Sequence, residues 1–334
     1  EQQKKNIAIK DANIETQKAK IKQHKTEERN RTLQLIGAII SLILITIIAL
    51  ISFKSYRNKK KAYKDLNIKN KKIEIQKEEI EYKSKNIEKS IQYAQKIQLS
   101  LLPTEKTIHS AYPSSFVFFQ PKDHVSGDFI WTYTQGKKSI LVVADCTGHG
   151  VPGAFMSIVC ANLLERVITE EKITRPDLIL SEIDNRLKQS INKYEEHGIK
   201  DGMDVALVLI EGNDLSYAGA RNPLYIVSSG NLITLKGDRK SIGYGNSMVE
   251  NKEFTLQNYT IKTGDTFYLS TDGYVDQRGG INNTKFYAKP FRELLIEINK
   301  MPFINQKETI TETFNNWKGN EEQMDDVTVL GFRI

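Results

Sequence analysis

The sequence predicts an α+β domain of layered antiparallel strands and paired helices, carried on a long helical arm. Three observations predict it. Residues 1–32 and 57–101 contain neither Gly nor Pro, which leaves nothing to break a helix. Beyond Pro103, short apolar runs alternate with amphipathic stretches. Several runs are separated by only two to five residues, as at Gly212-Asn213 and Ser229-Gly230, and links that short join antiparallel strands. The strands are grouped with two pairs of helices and do not alternate with them one for one, which excludes a strict βαβ repeat.

Taken in order, residues 1–32 are polar and read as a helical tail, distal to the cytoplasm, of a sensor region that precedes it. Glu1 in place of Met is what a fragment of a longer protein would show. Residues 33–53 contain no charged side chain in 21 positions. About 20 residues of helix span a hydrocarbon core about 30 Å thick, so this stretch predicts a single transmembrane helix. The polar segment before it and its length exclude a cleaved signal peptide. Six Lys and Arg lie in the 20 residues before it and nine in the 20 after. That bias places the C-terminal part in the cytoplasm and the chain in the cell (inner) membrane.

Residues 54–101 form the expected linker. Leu66, Ile73, Ile80, Ile87, Ala94 and Leu101 recur every seven residues, one position of a coiled-coil seam. Four residues further on stand Asn70, Lys77, Ser84, Ile91 and Gln98, mostly polar. A seam that is half apolar predicts a weak coiled coil, a homodimer contact able to change its packing. From 102 to 334 the reading is one catalytic domain. Its strands are expected at 115–120, 129–134, 139–144, 205–210, 215–218, 224–227, 232–235, 266–270 and 327–332. Its helices are expected at 153–169, 175–194, 291–300 and 306–316.

Composition narrows the classes. The chain has 334 residues, 27% charged and 39% hydrophobic, which excludes wholesale disorder. Two cysteines, Cys146 and Cys160, exclude a disulfide framework and a four-thiolate zinc site. The net charge of +7 is unevenly placed: residues 1–101 hold 23 Lys and Arg against 11 Asp and Glu, and residues 102–334 hold 25 against 30. A basic arm next to an acidic domain suits a membrane surface, and no nucleic-acid partner is expected.

Four acidic motifs stand at strand ends. HVSGDF ends on Asp128, ILVVADCTGHG delivers Asp145 into a glycine loop, FYLSTDGYVD carries Asp272, and QMDDVTVLGF opens on Asp325 and Asp326. A lone carboxylate just past an apolar strand usually caps a turn. Four, each beside a glycine or a second Asp and without matching Lys or Arg, point to a cation site. Oxygen donors suit Mg2+ or Mn2+ rather than zinc, and two such ions form the usual hydrolytic pair for phosphoesters. Asp201 and Asp204, which flank Gly202, read as turn residues, and Asn222-Pro223 reads as hairpin geometry.

The set VSGDF, ADCTGHGVPGAFMS, DGMDVAL, AGARNPLYIV, LSTDGYVDQRGG and MDDVTVLGF resembles the protein phosphatase 2C (PPM-type) superfamily. Within it the chain is similar to the bacterial branch named after sporulation stage II protein E, over about residues 92–334. The resemblance implies an αββα sandwich of two antiparallel sheets flanked by helices. It implies hydrolysis of protein phosphoserine or phosphothreonine by a water activated by two Mn2+ or Mg2+ ions per site. Motif by motif, Asp145 matches the acid shared by both ions, with the Cys146 carbonyl and Asp128 on one side and Asp272 and Asp325 on the other. Of the neighbours Asp325 and Asp326, the family pattern selects the first. The eukaryotic branch holds the phosphate with an arginine that has no counterpart in these motifs; Lys122 is the nearest candidate. His149, in the glycine loop, suits a general acid for the leaving seryl oxygen, since an unperturbed imidazole titrates near neutrality. In the family the substrate is often an anti-sigma-factor antagonist.

Two other readings compete. A catalytically weak module that docks a phosphoprotein is disfavoured by the intact set of four carboxylates. A histidine kinase or nucleotide cyclase shares the membrane–helix–domain layout, but no phosphate-cradling glycine loop is present. His109 and His124 both lie outside the linker helix.

Overall fold

A computed structural model describes residues 1–191, 201–243 and 253–334. They fall into two compact units, Glu1–Ser84 and Lys85–Ile334. Helix α1 (Gln2–Leu101) supplies the whole of the first unit and the opening of the second. It includes the expected tail, span and linker, and stops just short of Pro103, as the residue before a proline disfavours helix. In the first unit every side chain of α1 is exposed, including the apolar run 33–53.

The second unit has four layers. One sheet runs β2 (Asp128–Gln135), β3 (Lys138–Cys146), β4 (Met203–Glu211), β5 (Asp214–Ala220) and β8 (Gln257–Thr260). The other runs β1 (Ser115–Gln120), β12 (Val327–Arg333), β9 (Thr266–Ser270), β6 (Leu224–Ser228) and β7 (Asn231–Leu235). All pairings within the two sheets are antiparallel. The two-residue period of a strand sorts the side chains. On β3, Ile140, Val142 and Ala144 pack beneath α3 (Gly150–Glu165) and α4 (Pro176–Ile191). Leu141 and Val143 point the other way, into the core between the sheets, where they meet Leu269, Leu330 and Phe332. On the far side Phe118, Tyr268 and Val329 pack under α6 (Ala288–Ile298) and α7 (Phe303–Lys318). The arrangement is α+β, with two antiparallel sheets face to face between helices.

All nine expected strands are present, most extended by a residue or two. The structure adds α2 (Glu105–Ala111), α5 (Gly273–Asp276), β8 and a two-residue pair, β10 (Arg278–Gly279) with β11 (Thr284–Lys285). The helix expected at 153–169 starts earlier, at Gly150, and its last turn, Arg166–Glu170, is π-helical. The helix expected at 175–194 is α4; residues 192–194 lie outside the described residues. Two expectations are corrected. Asp204 is not a turn residue but lies inside β4, and Asn222-Pro223 is not a hairpin turn but the crossing from β5 in one sheet to β6 in the other.

Candidate active site

The first sheet sets three carboxylates in a row. Asp128 on β2 is the register partner of Asp145 on β3, and Asp145 is the partner of Asp204 on β4. Ile130, Val143 and Ala206, two residues from each, face the core between the sheets. The three Asp therefore extend that face at the open end of the sandwich. Like charges directly opposite on neighbouring strands repel. From the second sheet come Asp272, just past β9, and Asp325, just before β12.

Asp145, Asp204, Asp272 and Asp325 line one cavity of about 250 Å3, with Cys146, Arg221 and Ser241. Asp128 stands behind it, fully buried. Its Oδ2 accepts hydrogen bonds from Thr271 and Thr328, both at 2.7 Å. Its Oδ1 is buried with no partner among the described residues. Asp326 is spent differently: its oxygens accept the backbone N–H groups of Lys122 and Gly127, each at 2.8 Å, so it braces the loop that leads to Asp128.

Glycines let this loop close on its neighbour. A Cβ on Gly127 would lie 2.6 Å from the Gly148 carbonyl oxygen and 2.8 Å from that of Cys146. One on Gly153 would lie 2.1 Å from the Gly148 oxygen. Gln98, at the end of α1, completes the support. Its Nε2 donates to the Ser126 carbonyl (2.6 Å) and Ser157 Oγ (2.9 Å), and its Oε1 accepts from Ser126 N (3.2 Å).

Burial raises every cavity carboxyl, and for Asp145, Asp272 and Asp325 repulsion adds to it. Asp145 is held well above the usual range by burial, then by the charges of Asp128, Asp272, Asp325 and Asp204. Asp128 is raised by burial against the pull of its two threonines. Asp272 is pushed up to about 6 by burial, then by Asp276, Asp325 and Asp204, with its hydrogen bond to Asp145 acting the other way. Asp204 is raised by burial, opposed by Ser241 and Arg221. Asp325 is raised by burial, while His149 and Lys122 draw it down.

Those two basic groups stand at the rim. His149 Nδ1 lies 2.9 Å from Asp123 Oδ2, and its Nε2 lies 2.9 Å from Lys122 Nζ. The tautomer that suits both neighbours carries the proton on Nδ1, donated to Asp123. Cys146 turns its thiol away, buried beside Cys160, and lines the cavity at the end of β3. Asp204, Arg221 and Ser241 were not among the expected site residues. The even spacing of Asp204 from Ala206 and Val208 carried the signal for the first; nothing in the sequence marked the other two.

Among the described residues no three His, Cys, Asp or Glu side chains converge as ligands of a single ion; the carboxylates ring the cavity instead. The donor set nevertheless fits hard divalent cations. It is all oxygen, its members repel one another, and Asp128 Oδ1 is a buried acceptor with no donor.

The family model for stage II sporulation protein E (SpoIIE) matches residues 135–334. The chain belongs to the SpoIIE family of PP2C-type phosphatases. The SiaA-PP2C domain of Pseudomonas aeruginosa is 31% identical over 75% of this chain and 98% of that one, with a TM-score of 0.68. The PP2C phosphatase domain of Bacillus subtilis SpoIIE, with a fragment of its regulatory domain, shares the fold at 18% identity. There the match covers 66% of this chain and 63% of that one, with a TM-score of 0.53. The RsbU and RsbW domains of Rv1364c from Mycobacterium tuberculosis match at 20% identity over 66% of this chain and 60% of that one, with a TM-score of 0.50. Among curated proteins no match is found.

Proposed function

We propose that the chain is a membrane-anchored, metal-dependent serine/threonine phosphatase of bacterial signalling, acting on a cytoplasmic phosphoprotein. The observation that carries this reading is the row Asp128–Asp145–Asp204, faced across one cavity by Asp272 and Asp325. Two Mn2+ or Mg2+ ions are the proposed occupants. Asp145 would be shared between them, with the Cys146 carbonyl and Asp128 on one and Asp272 and Asp325 on the other. When bound, such ions supply an activated water and neutralise charge on the phosphoryl oxygens. Thr271 and Thr328 fix the Asp128 carboxylate, and Asp326 holds the backbone that carries it. His149, oriented by Asp123, is the proposed proton donor to the leaving seryl oxygen; donation requires Lys122 to withdraw from Nε2 and that nitrogen to take up a proton from water first, so that the imidazolium is the acid. In the arm, residues 33–53 are the proposed membrane span and 54–101 a dimerising linker.

Mn2+-dependent hydrolysis of p-nitrophenyl phosphate by the whole chain tests the reading. Activity is expected to vanish in chelator. Asp145→Asn is expected to remove at least about 10³-fold of the rate, a loss of about 4 kcal/mol of barrier stabilisation. Near-native turnover in a folded Asp145→Asn chain would exclude this site. Phosphopeptide binding without turnover in the unmutated chain would favour a docking module.

A further inference from the structure

A second cavity adjoins the first. We propose that it is a specificity subsite, which receives an acidic side chain of the phosphoprotein next to the phosphorylated residue. The proposal rests on the phosphatase reading above. The cavity, about 480 Å3 in volume, shares Asp204, Arg221 and Asp272 with the carboxylate cavity and adds Asn222, Asp238 and Arg239. Successive residues of a chain are about 3.8 Å apart. A peptide whose phosphate occupies the first cavity therefore sets its neighbouring side chains at the second.

Three donors line this space. Asn222 is 5% exposed, and its Nδ2 has no hydrogen-bond partner among the described residues. A buried donor left unmatched is costly, and a carboxylate would match it. Arg239 is exposed and, among the described residues, forms no ion pair. Arg221 reaches Asp204 only through Nε, at 3.8 Å, so the outer edge of its guanidinium stays available. The cavity's own carboxylates are already committed. Asp238 accepts from Thr255 N at 2.7 Å and Thr255 Oγ1 at 2.9 Å. Asp204 is drawn to Ser241 and Arg221, and Asp272 belongs to the proposed metal set. What is left unmatched is hydrogen-bonding capacity: both Asp238 oxygens are occupied, whereas the N–H groups of Arg239 and the outer edge of Arg221 have no acceptor among the described residues, and a guanidinium fork fits a carboxylate with two parallel hydrogen bonds.

The backbone holds these donors in place at a cost. Arg221 has a φ of 60°, a conformation that a residue with a side chain seldom adopts. Its N–H donates to the Asp238 carbonyl and that of Asp238 to the Gly219 carbonyl, both at 2.8 Å. Tyr217 Oη donates to the Asn222 carbonyl at 2.5 Å. Gly237 packs so closely that a Cβ there would lie 2.9 Å from the Asn222 oxygen and 3.0 Å from Arg221 N. Strain that the surroundings over-determine in this way is a mark of functional positions.

The test uses the whole chain and phosphoserine peptides flanked by Glu, Ala or Lys, with non-hydrolysable phosphonate versions for binding. The unmutated chain is expected to bind the Glu-flanked phosphonate about tenfold more tightly than the Ala-flanked one. Arg239→Ala is expected to bring that ratio near one, and Arg239→Glu to invert it in favour of Lys, which lost packing alone would not do. Equal affinity for Glu and Ala flanks, or a Glu preference that survives Arg239→Glu, overturns the subsite. Hydrolysis of p-nitrophenyl phosphate, read in parallel, tests the phosphatase reading separately. A chain that discriminates flanks without turnover keeps the subsite and loses the enzyme; a chain that turns over without discriminating does the reverse.

Discussion

His149 illustrates what one residue's neighbours decide. Asp123 holds Nδ1, and Lys122 occupies Nε2, the nitrogen that would face a leaving group. A general acid matters in proportion to how poorly the leaving group departs unprotonated. An alkoxide from serine leaves badly, whereas p-nitrophenolate leaves well without help. His149→Ala is therefore expected to lower kcat on a phosphoserine peptide by about 10²-fold or more while changing p-nitrophenyl phosphate turnover far less. Equal losses on both substrates would make His149 a rim residue that only steadies Lys122 and Asp123. The same scale separates Asp325 from Asp326, which the sequence presents as equivalent neighbours. Asp326 spends both oxygens on backbone N–H groups, and Asp325 lines the cavity.

At the scale of elements, most of the sandwich was legible because its strands are short apolar runs, buried on both faces, joined by short turns. Strand β8 was not: Gln257–Thr260 is polar and half-exposed at a sheet edge, so no apolar run marks it. Asp204 was misplaced for a related reason. A carboxylate two residues past Gly202 reads as a turn until pairing with β3 puts it opposite Asp145. Gln98 was read as a polar flaw in a seam, yet in the second unit it is the buried clamp on Ser126 and Ser157. Such roles depend on partners 28 and 59 residues away, which no local pattern records. The strand row itself has a measurable consequence. A carboxyl whose folded-state pKa is raised binds its proton more tightly folded than unfolded. Its contribution to stability is full below the ordinary carboxyl pKa. It is lost as pH rises through the folded value, about 6 for Asp272, with Asp128 and Asp145 shifted the same way. In chelator the chain is therefore expected to melt at a higher temperature near about pH 5 than near about pH 7.5. Mn2+ is expected to raise the melting temperature at the higher pH by binding the ionised row. A melting temperature in chelator that rises with pH over this range would count against the row as the dominant strain.

At the scale of the whole molecule, the proposed signalling role depends on what covers the arm. In the first unit Leu66, Ile73 and Ile80 are 53%, 61% and 67% exposed, an apolar row at seven-residue spacing against which none of the described residues packs. A second copy of the same helix is the partner that such a row fits. The positions four residues on, Asn70, Lys77 and Ser84, are polar, so the proposed pairing would be marginal. Marginal pairing allows two packings a few kcal/mol apart to be exchanged by a modest input. In the second unit the same seven-residue series continues differently: Ile91 is half-buried and Gln98 is buried at the loop that carries Asp128. The proposed control would act through α1, the one helix that belongs to both units. Replacing Asn70, Lys77 and Ser84 together with Leu is expected to tighten dimerisation in analytical ultracentrifugation and to lock phosphatase activity in one state. Tighter dimers whose turnover and response to input match the unmutated chain would reduce residues 54–101 to a spacer, since the seam would then store no information that reaches the cavity.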